Sequence, residues 1–307
     1  MKLRSFTLAF LALLAPVAGA GLLHREARLP EGTQVRRDLA YGGDPAQALD
    51  VYTLGRHAGA RPVIVMVHGG AWAFGDKDWR GVVESKLAHW LPRGVVFVSL
   101  NYRTLPRQDV AGQAEDVARA LAFVQRSAPE WGGDPGRLTL MGHSAGAHLA
   151  ALLSADPARA QAFGARRWNA TVALDSAALD VESIMRRDHH RLYDRAFGAD
   201  PAQWSRLSPM HQLRADAVPV LAVCSMQRPD RPCEQARAYT GRARSLGVAG
   251  GVLPLDLDHG QINKKLGVQP DYTAAVDRFI AEHAGAGGLA GGEAPATRAQ
   301  PAASGSP

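Results

Sequence analysis

The stretch Leu138–Leu153, "LTLMGHSAGAHLAALL", decides how this chain is read. An apolar run leads into Gly142-His143-Ser144-Ala145-Gly146, and a small-residue apolar pattern follows at once. Glycine makes up 32 of the 307 residues, so Gly-x-Ser-x-Gly should arise by accident about 0.15 times in such a chain. The pattern therefore needs its context. A strand that turns sharply into a helix, with no side chain on either flank of the serine, pushes a hydroxyl out at the strand's carboxyl end. The helix start also sets that hydroxyl near the positive end of a helix dipole. A serine that only caps a helix among chance glycines would fit the same place.

Working outward, "RPVIVMV" (61–67) is a continuous β-branched run, as a strand buried on both faces requires. "HGGAW", His68 to Trp72, follows it directly. A capping serine does not account for a second glycine-rich turn after a neighbouring strand. Oxyanion stabilisation does, because backbone N–H groups must approach the reacting carbonyl closely. Gly69, Gly70 and Ala145 are the candidate donors, and His68 is expected to orient the loop. Trp72 and Phe74, beside this loop, and His143, inside the serine motif, are the candidate substrate contacts.

The rest of the chain alternates in the same way. "QVRRDLAY" and "ALDVYTL" flank the turn "GGDP" as short antiparallel strands. "GVVFVSL", "ATVALDS", "VPVLAVC" and "GVLPLDL" are further strands. Helical periodicity runs from Val110 to Arg126, from about Glu234 to Ser245 and from Tyr272 to about His283. Strands alternating with helices predict an α/β fold with a mostly parallel central sheet. Residues 179–217, polar with scattered aromatics, form an insertion between the predicted sixth and seventh strands.

The two ends read differently. Residues 1–20, "MKLRSFTLAFLALLAPVAGA", carry Lys2 and Arg4, a short apolar run and Ala18-Gly19-Ala20. That is a cleavable secretory signal, too short to span a bilayer, so export to the periplasm or medium without a membrane anchor is expected. Residues 285–307 are Ala/Gly/Pro-rich and are expected to be disordered. The catalytic domain is then 21–284. Removing the leader takes the formal charge from +6 to about +4, with arginines scattered rather than clustered, so no nucleic-acid partner is expected. Cys224 and Cys233 could form a disulfide in an oxidising compartment, or remain two buried thiols. No Cys/His spacing resembles a metal site.

In this order, "VHGGAWAFGDK", "LNYR", "GGDPGRLTLMGHSAG" and "DHGQIN" resemble the α/β-hydrolase superfamily over about Tyr41 to Ala284. They are most similar to its HGG-type esterase/lipase branch, with its carboxylesterases, feruloyl/acetyl-xylan-type esterases and kynurenine formamidase-like enzymes. The resemblance implies a Ser-His-acid triad, no cofactor and a cap at 179–217. His259, between the last strand and the final helix, is the implied base, and a pKa near neutrality suits it to the task. The resemblance places the acid a few residues after "VPVLAVC", often within His-Gly-x-x-Asp. Here that segment reads "CSMQRPDRPCEQA", with Arg228 near the expected place. Asp230 is the candidate acid, and a Cys224–Cys233 disulfide would hold its loop. Asp175 or Asp180, after the preceding strand, would serve in a relocated triad. Glu234 reads as a helix first-turn charge, and Asp256 and Asp258 as shaping the His259 loop. His148 is expected in packing, and His189 and His190 on a solvated surface.

The expected function is an exported serine hydrolase for carboxylic esters of small to medium acyl groups. An amidase or formamidase with the same triad is the alternative, and a non-catalytic binding member of the fold is a third.

Overall fold

The computed structural model describes residues 27–55 and 60–283; the leader and tail expectations fall outside them. Eight strands form one sheet: β1 (Thr33–Ala40), β2 (Ala48–Leu54), β3 (Arg61–Val67), β4 (Val96–Leu100), β5 (Gly133–His143), β6 (Ala170–Leu174), β7 (Val220–Ser225) and β8 (Gly250–Leu255). Their order is β1-β2-β4-β3-β5-β6-β7-β8. β1 and β2 pair antiparallel, β2 joins β4 antiparallel, and every later pairing is parallel.

The helices are α1 (Arg80–Trp90), α2 (Val110–Ser127), α3 (Ala145–Ala155), α4 (Ala158–Gln161), α5 (Val181–Met185), α6 (Arg191–Phe197), α7 (Pro201–Leu207), α8 (Pro209–Gln212), α9 (Pro232–Ser245), α10 (His259–Lys265) and α11 (Pro270–His283). Strand alternation sorts them into two layers. Val63, Val65 and Val67 of β3 pack with α2 and α3, through Val117, Leu121 and Leu149 among others. Ile64 and Met66 point the other way, against α1, α10 and α11, through Leu87, Ile262 and Val276. α9 packs beside α3 over β7, through Ala236, Tyr239, Ala151 and Ala222. Strands covered on both faces need the unbroken apolar runs seen in the sequence.

Local signals set some boundaries. Asp109 caps α2, its carboxylate accepting from the Gly112 N–H at 2.8 Å. Asp258 opens α10 with a reciprocal capping box to Gln261, which fixes the backbone of His259, the first residue of that helix. The segment 179–217 folds as the short helices α5 to α8 between β6 and β7. Among the described residues, no helix is long and apolar enough to cross a membrane.

Candidate active site

Ser144 stands between the end of β5 and the start of α3 with φ 56°. The flanking glycines are forced by contact with backbone. A Cβ on Gly142 would lie 2.3 Å from the Gly146 carbonyl oxygen, and one on Gly146 would lie 2.3 Å from that of Val67. Any side chain there would push the helix off the sheet. On the neighbouring turn, a Cβ on Gly70 would lie 1.9 Å from the Phe74 carbonyl oxygen, and Gly70 has φ 121°. Gly69 packs against the serine itself, where an added Cβ would sit 3.0 Å from the Ser144 Cβ. The two glycine-rich turns that the sequence marks therefore meet.

His259 Nε2 lies 2.9 Å from Ser144 Oγ, and its Nδ1 lies 2.6 Å from Asp175 Oδ2. Asp175 follows the last residue of β6, is fully buried and has φ 56°. Its Oδ1 accepts the Ser225 N–H at 2.8 Å. Burial alone would raise its pKa, but the His259 hydrogen bond, the Arg228 charge and the Ser225 N–H together hold it below the usual carboxylate value.

Asp230, the acid favoured from sequence, does not reach His259. Its carboxylate is clamped by Arg228, through Nε at 2.9 Å and through Nη2. The cause is the guanidinium. Arg228 occupies the space beside His259 Nδ1, its Nη1 2.9 Å from that nitrogen and 2.9 Å from Asp175 Oδ2. The carboxylate against His259 is Asp175, the alternative position that the sequence offers. Cys224 and Cys233 are joined by a disulfide, and the loop it closes presents Arg228 rather than an acid.

The remaining candidates separate by burial. Gly69, Gly70, Ala145, His143, Trp72 and Phe74 all line one cavity with Ser144 and His259. Its volume is about 1080 Å³, and Trp79, Val82 and Ala88, at and along α1, and Val268, between α10 and α11, extend it. Phe74 is 58% exposed at its mouth. Trp72 is only 3% exposed and is mostly engaged with α6. Its ring meets Phe197 at 4.9 Å, and its Nε1 donates to His148 Nδ1 at 3.2 Å. His148 Nε2 in turn donates to the Leu207 carbonyl at 2.8 Å, so Trp72 and His148 join the His68–Trp72 turn to the helices α6 and α7. Burial lowers the His148 pKa to about 4, which suits this neutral tautomer.

His143 Nε2 donates to the His259 carbonyl at 3.0 Å. Burial first, then the charge of His259, brings its pKa to about 3, leaving His259 as the histidine on the serine. His68 stacks on Tyr102 at 4.5 Å and bonds the Gly69 carbonyl at 2.6 Å, which shapes the loop. Asp258 caps α10 and Asp256 accepts from Gln227.

Lys86, on α1, carries no functional signal in the sequence. It is fully buried, and Nζ donates to Asn263 through the main-chain carbonyl at 2.7 Å and Oδ1 at 2.8 Å. It thus ties α1 to the helix that begins with His259.

Residues 49–240 match the family described as BD-FAE. Esterase LipQ of Mycobacterium tuberculosis is 31% identical over 226 residues, which cover 69% of this chain and 53% of the relative. Isoprenylcysteine alpha-carbonyl methylesterase ICME of Arabidopsis thaliana is 28% identical over 232 residues, covering 70% and 54%. The chain spans about half the length of these two relatives. Esterase B of Lactobacillus rhamnosis superposes with TM-score 0.67 at 21% identity, over 86% of this chain and 89% of the other. Est2 of Thermogutta terrifontis does so with TM-score 0.65 at 23% identity, over 85% and 96%. At such identities the two structures speak to the fold.

Proposed function

This chain belongs to the BD-FAE family, within the α/β-hydrolase esterase/lipase superfamily, and from that premise we propose that it is a serine carboxylic-ester hydrolase. The observation that carries the reading is the relay from Ser144 Oγ to His259 Nε2 at 2.9 Å and from His259 Nδ1 to Asp175 at 2.6 Å. A serine hydroxyl is a weak nucleophile until a base takes its proton. Here Ser144 attacks the ester carbonyl while His259 receives the hydroxyl proton, and Asp175 stabilises the imidazolium that results.

The tetrahedral oxyanion then lies at the start of α3, where the N–H groups of Gly69, Gly70 and Ala145 act as donors. One such donor is typically worth about 3 kcal/mol of barrier. Collapse breaks the carbon–oxygen bond to the alcohol, which leaves with the proton from His259. Water repeats the sequence on the acyl-enzyme, releasing the acid and restoring Ser144.

The cavity supports a substrate with a substantial apolar arm. At about 1080 Å³ and lined by Trp79, Val82, Ala88 and Val268, it accepts acyl groups of medium length as well as short ones. The Cys224–Cys233 disulfide supports export, since such bonds persist in oxidising compartments.

The test is hydrolysis of p-nitrophenyl acetate, butyrate and octanoate by the mature protein beside Ser144→Ala. Activity lost in the variant, with octanoate and butyrate turned over at least as well as acetate, is the expected result. Equal, near-zero rates in both proteins would turn attention to amides.

A further inference from the structure

Arg228 is a cation set against the base of a serine hydrolase, in the place where the resemblance to HGG-type esterases puts a carboxylate. Its guanidinium is largely buried, with 19% of the side chain exposed. Nη1 donates to Asp175, to Oδ2 at 2.9 Å and to the main-chain carbonyl at 3.1 Å, while Nε and Nη2 fork onto Asp230. Four of its five N–H groups are thus spent on Asp175 and Asp230. Its distance to His259 Nδ1 is 2.9 Å, yet both groups are donors here, so the two converge on one oxygen, Asp175 Oδ2.

We infer that Arg228 is a positioning residue for catalysis: braced by Asp230, it holds the Asp175 carboxylate against His259 Nδ1 and sets a fixed positive charge beside that imidazole. The inference rests on the triad reading above. Two effects of the guanidinium oppose each other. It secures the carboxylate that stabilises the imidazolium, and it repels the imidazolium directly. Asp230 moderates the repulsion by neutralising the far side of the fork.

Other groups packed around His259 do not supply this charge. His143, from β5, is held neutral, its pKa brought to about 3 by burial and by His259. Tyr193, from α6, stands over the guanidinium, and burial raises its pKa to about 12. Tyr272, from α11, is likewise held un-ionised by burial and by Asp175. Lys86, from α1, acts on His143 and is hydrogen-bonded to Asn263. On α10 itself, Asp258 is occupied with the cap, and Lys264 lies a turn beyond His259. Near neutral pH the charges in direct contact with Nδ1 are therefore Asp175 and Arg228, with Asp230 behind.

The experiment is the pH profile of kcat/KM on p-nitrophenyl butyrate, from about pH 5 to 9, whose acid limb reports the free enzyme's base. Arg228→Met removes the repulsion and leaves Asp230 unneutralised, so the limb should move up by about one pH unit. Arg228→Lys keeps the charge and should leave the limb within about 0.3 units of the parent. Asp230→Asn, on a partly exposed side chain, strengthens the repulsion and should move the limb down by a few tenths of a unit. That opposite sign tests the inference even where Arg228→Met fails to fold. A uniform loss of activity in Arg228→Met with the limb unmoved would make Arg228 a structural clamp and overturn the inference. So would an upward shift in Asp230→Asn. Ser144→Ala and Asp175→Asn run alongside: parental rates in those would overturn the triad itself, a separate failure from that of Arg228.

Discussion

Ser144 and Asp175 stand at the carboxyl ends of adjacent parallel strands, each with φ 56°. Each N–H donates to the next strand over, Ser144 to the Leu174 carbonyl and Asp175 to that of Val223. Their backbones are alike, and different forces hold them. Around Ser144 the constraint is backbone against backbone, with no room for a Cβ at Gly142 or Gly146. Around Asp175 it is polar: the Ser225 N–H, the Arg228 guanidinium and the His259 imidazole converge on one buried carboxylate. The steric constraint leaves its mark in the residue type, since only glycine fits, whereas the polar one asks only that partners converge on an ordinary aspartate.

The largest effects should come from removing the reacting groups. Ser144→Ala should lower kcat by roughly 10⁴- to 10⁶-fold. Asp175→Asn should cost on the order of 10³- to 10⁴-fold, since the base loses its orienting carboxylate. Asp230→Asn should cost less than about tenfold, because its carboxylate contacts Arg228 and not His259. Steady-state rates on one ester rank all three. A ranking with Asp230→Asn below Asp175→Asn would return the acid to the β7–α9 loop.

The same contrast decides what is legible in the sequence. The parallel strands, the serine turn and the His-Gly-Gly turn are legible because buried strands and tight turns demand particular residues at particular spacings. His259 is legible from its place after the last strand. Asp175 has no such mark: "ALDS" would look the same after any strand, and only the fold brings it to His259. Arg228 appeared as a departure from pattern, with its meaning hidden until Asp175 lay beside it. Trp72 is readable as an aromatic next to the His-Gly-Gly turn, but its burial under Phe197 depends on helices too short to show periodicity. Helix α1 escaped notice for a related reason: Lys86 puts a cation on the face that packs inward.

The steric side predicts loss of stability before loss of chemistry. Gly146→Ala places a Cβ 2.3 Å from the Val67 carbonyl oxygen, which strand and helix must part to admit. The expected cost is about 3 kcal/mol, read as a lower denaturant midpoint. A parental midpoint would mean that the elbow can relax.

The loop carrying Arg228 is closed by a disulfide spanning nine positions. Replacing both cysteines by serine should cost about 2.5 kcal/mol of stability in the chain-entropy model. Catalysis should suffer more than that loss alone implies, because the bridge restrains the residue that steadies Asp175. Full activity in a destabilised variant would separate the loop's stability from its role beside the base.

The smallest effect probes the polar side at a distance from the reacting atoms. Lys86 links α1 to α10 with hydrogen bonds to Asn263, and burial lowers its pKa to about 7. In the unfolded chain it titrates near 10.4. Below about pH 7 both states hold the proton, and the cost of burying the charge is fully present. Between about pH 7 and 10 the unfolded state binds a proton that the folded state does not, so stability rises with pH across that window. Lys86→Met removes this contribution while leaving other titrating groups in place. From pH 7 to pH 9 the parent should therefore gain on the variant by on the order of 2 kcal/mol, measured as a difference of urea midpoints. A difference that stays constant over the same range would mean that Lys86 remains charged in the fold. The helix bearing His259 would then be held by an ammonium ion at every working pH.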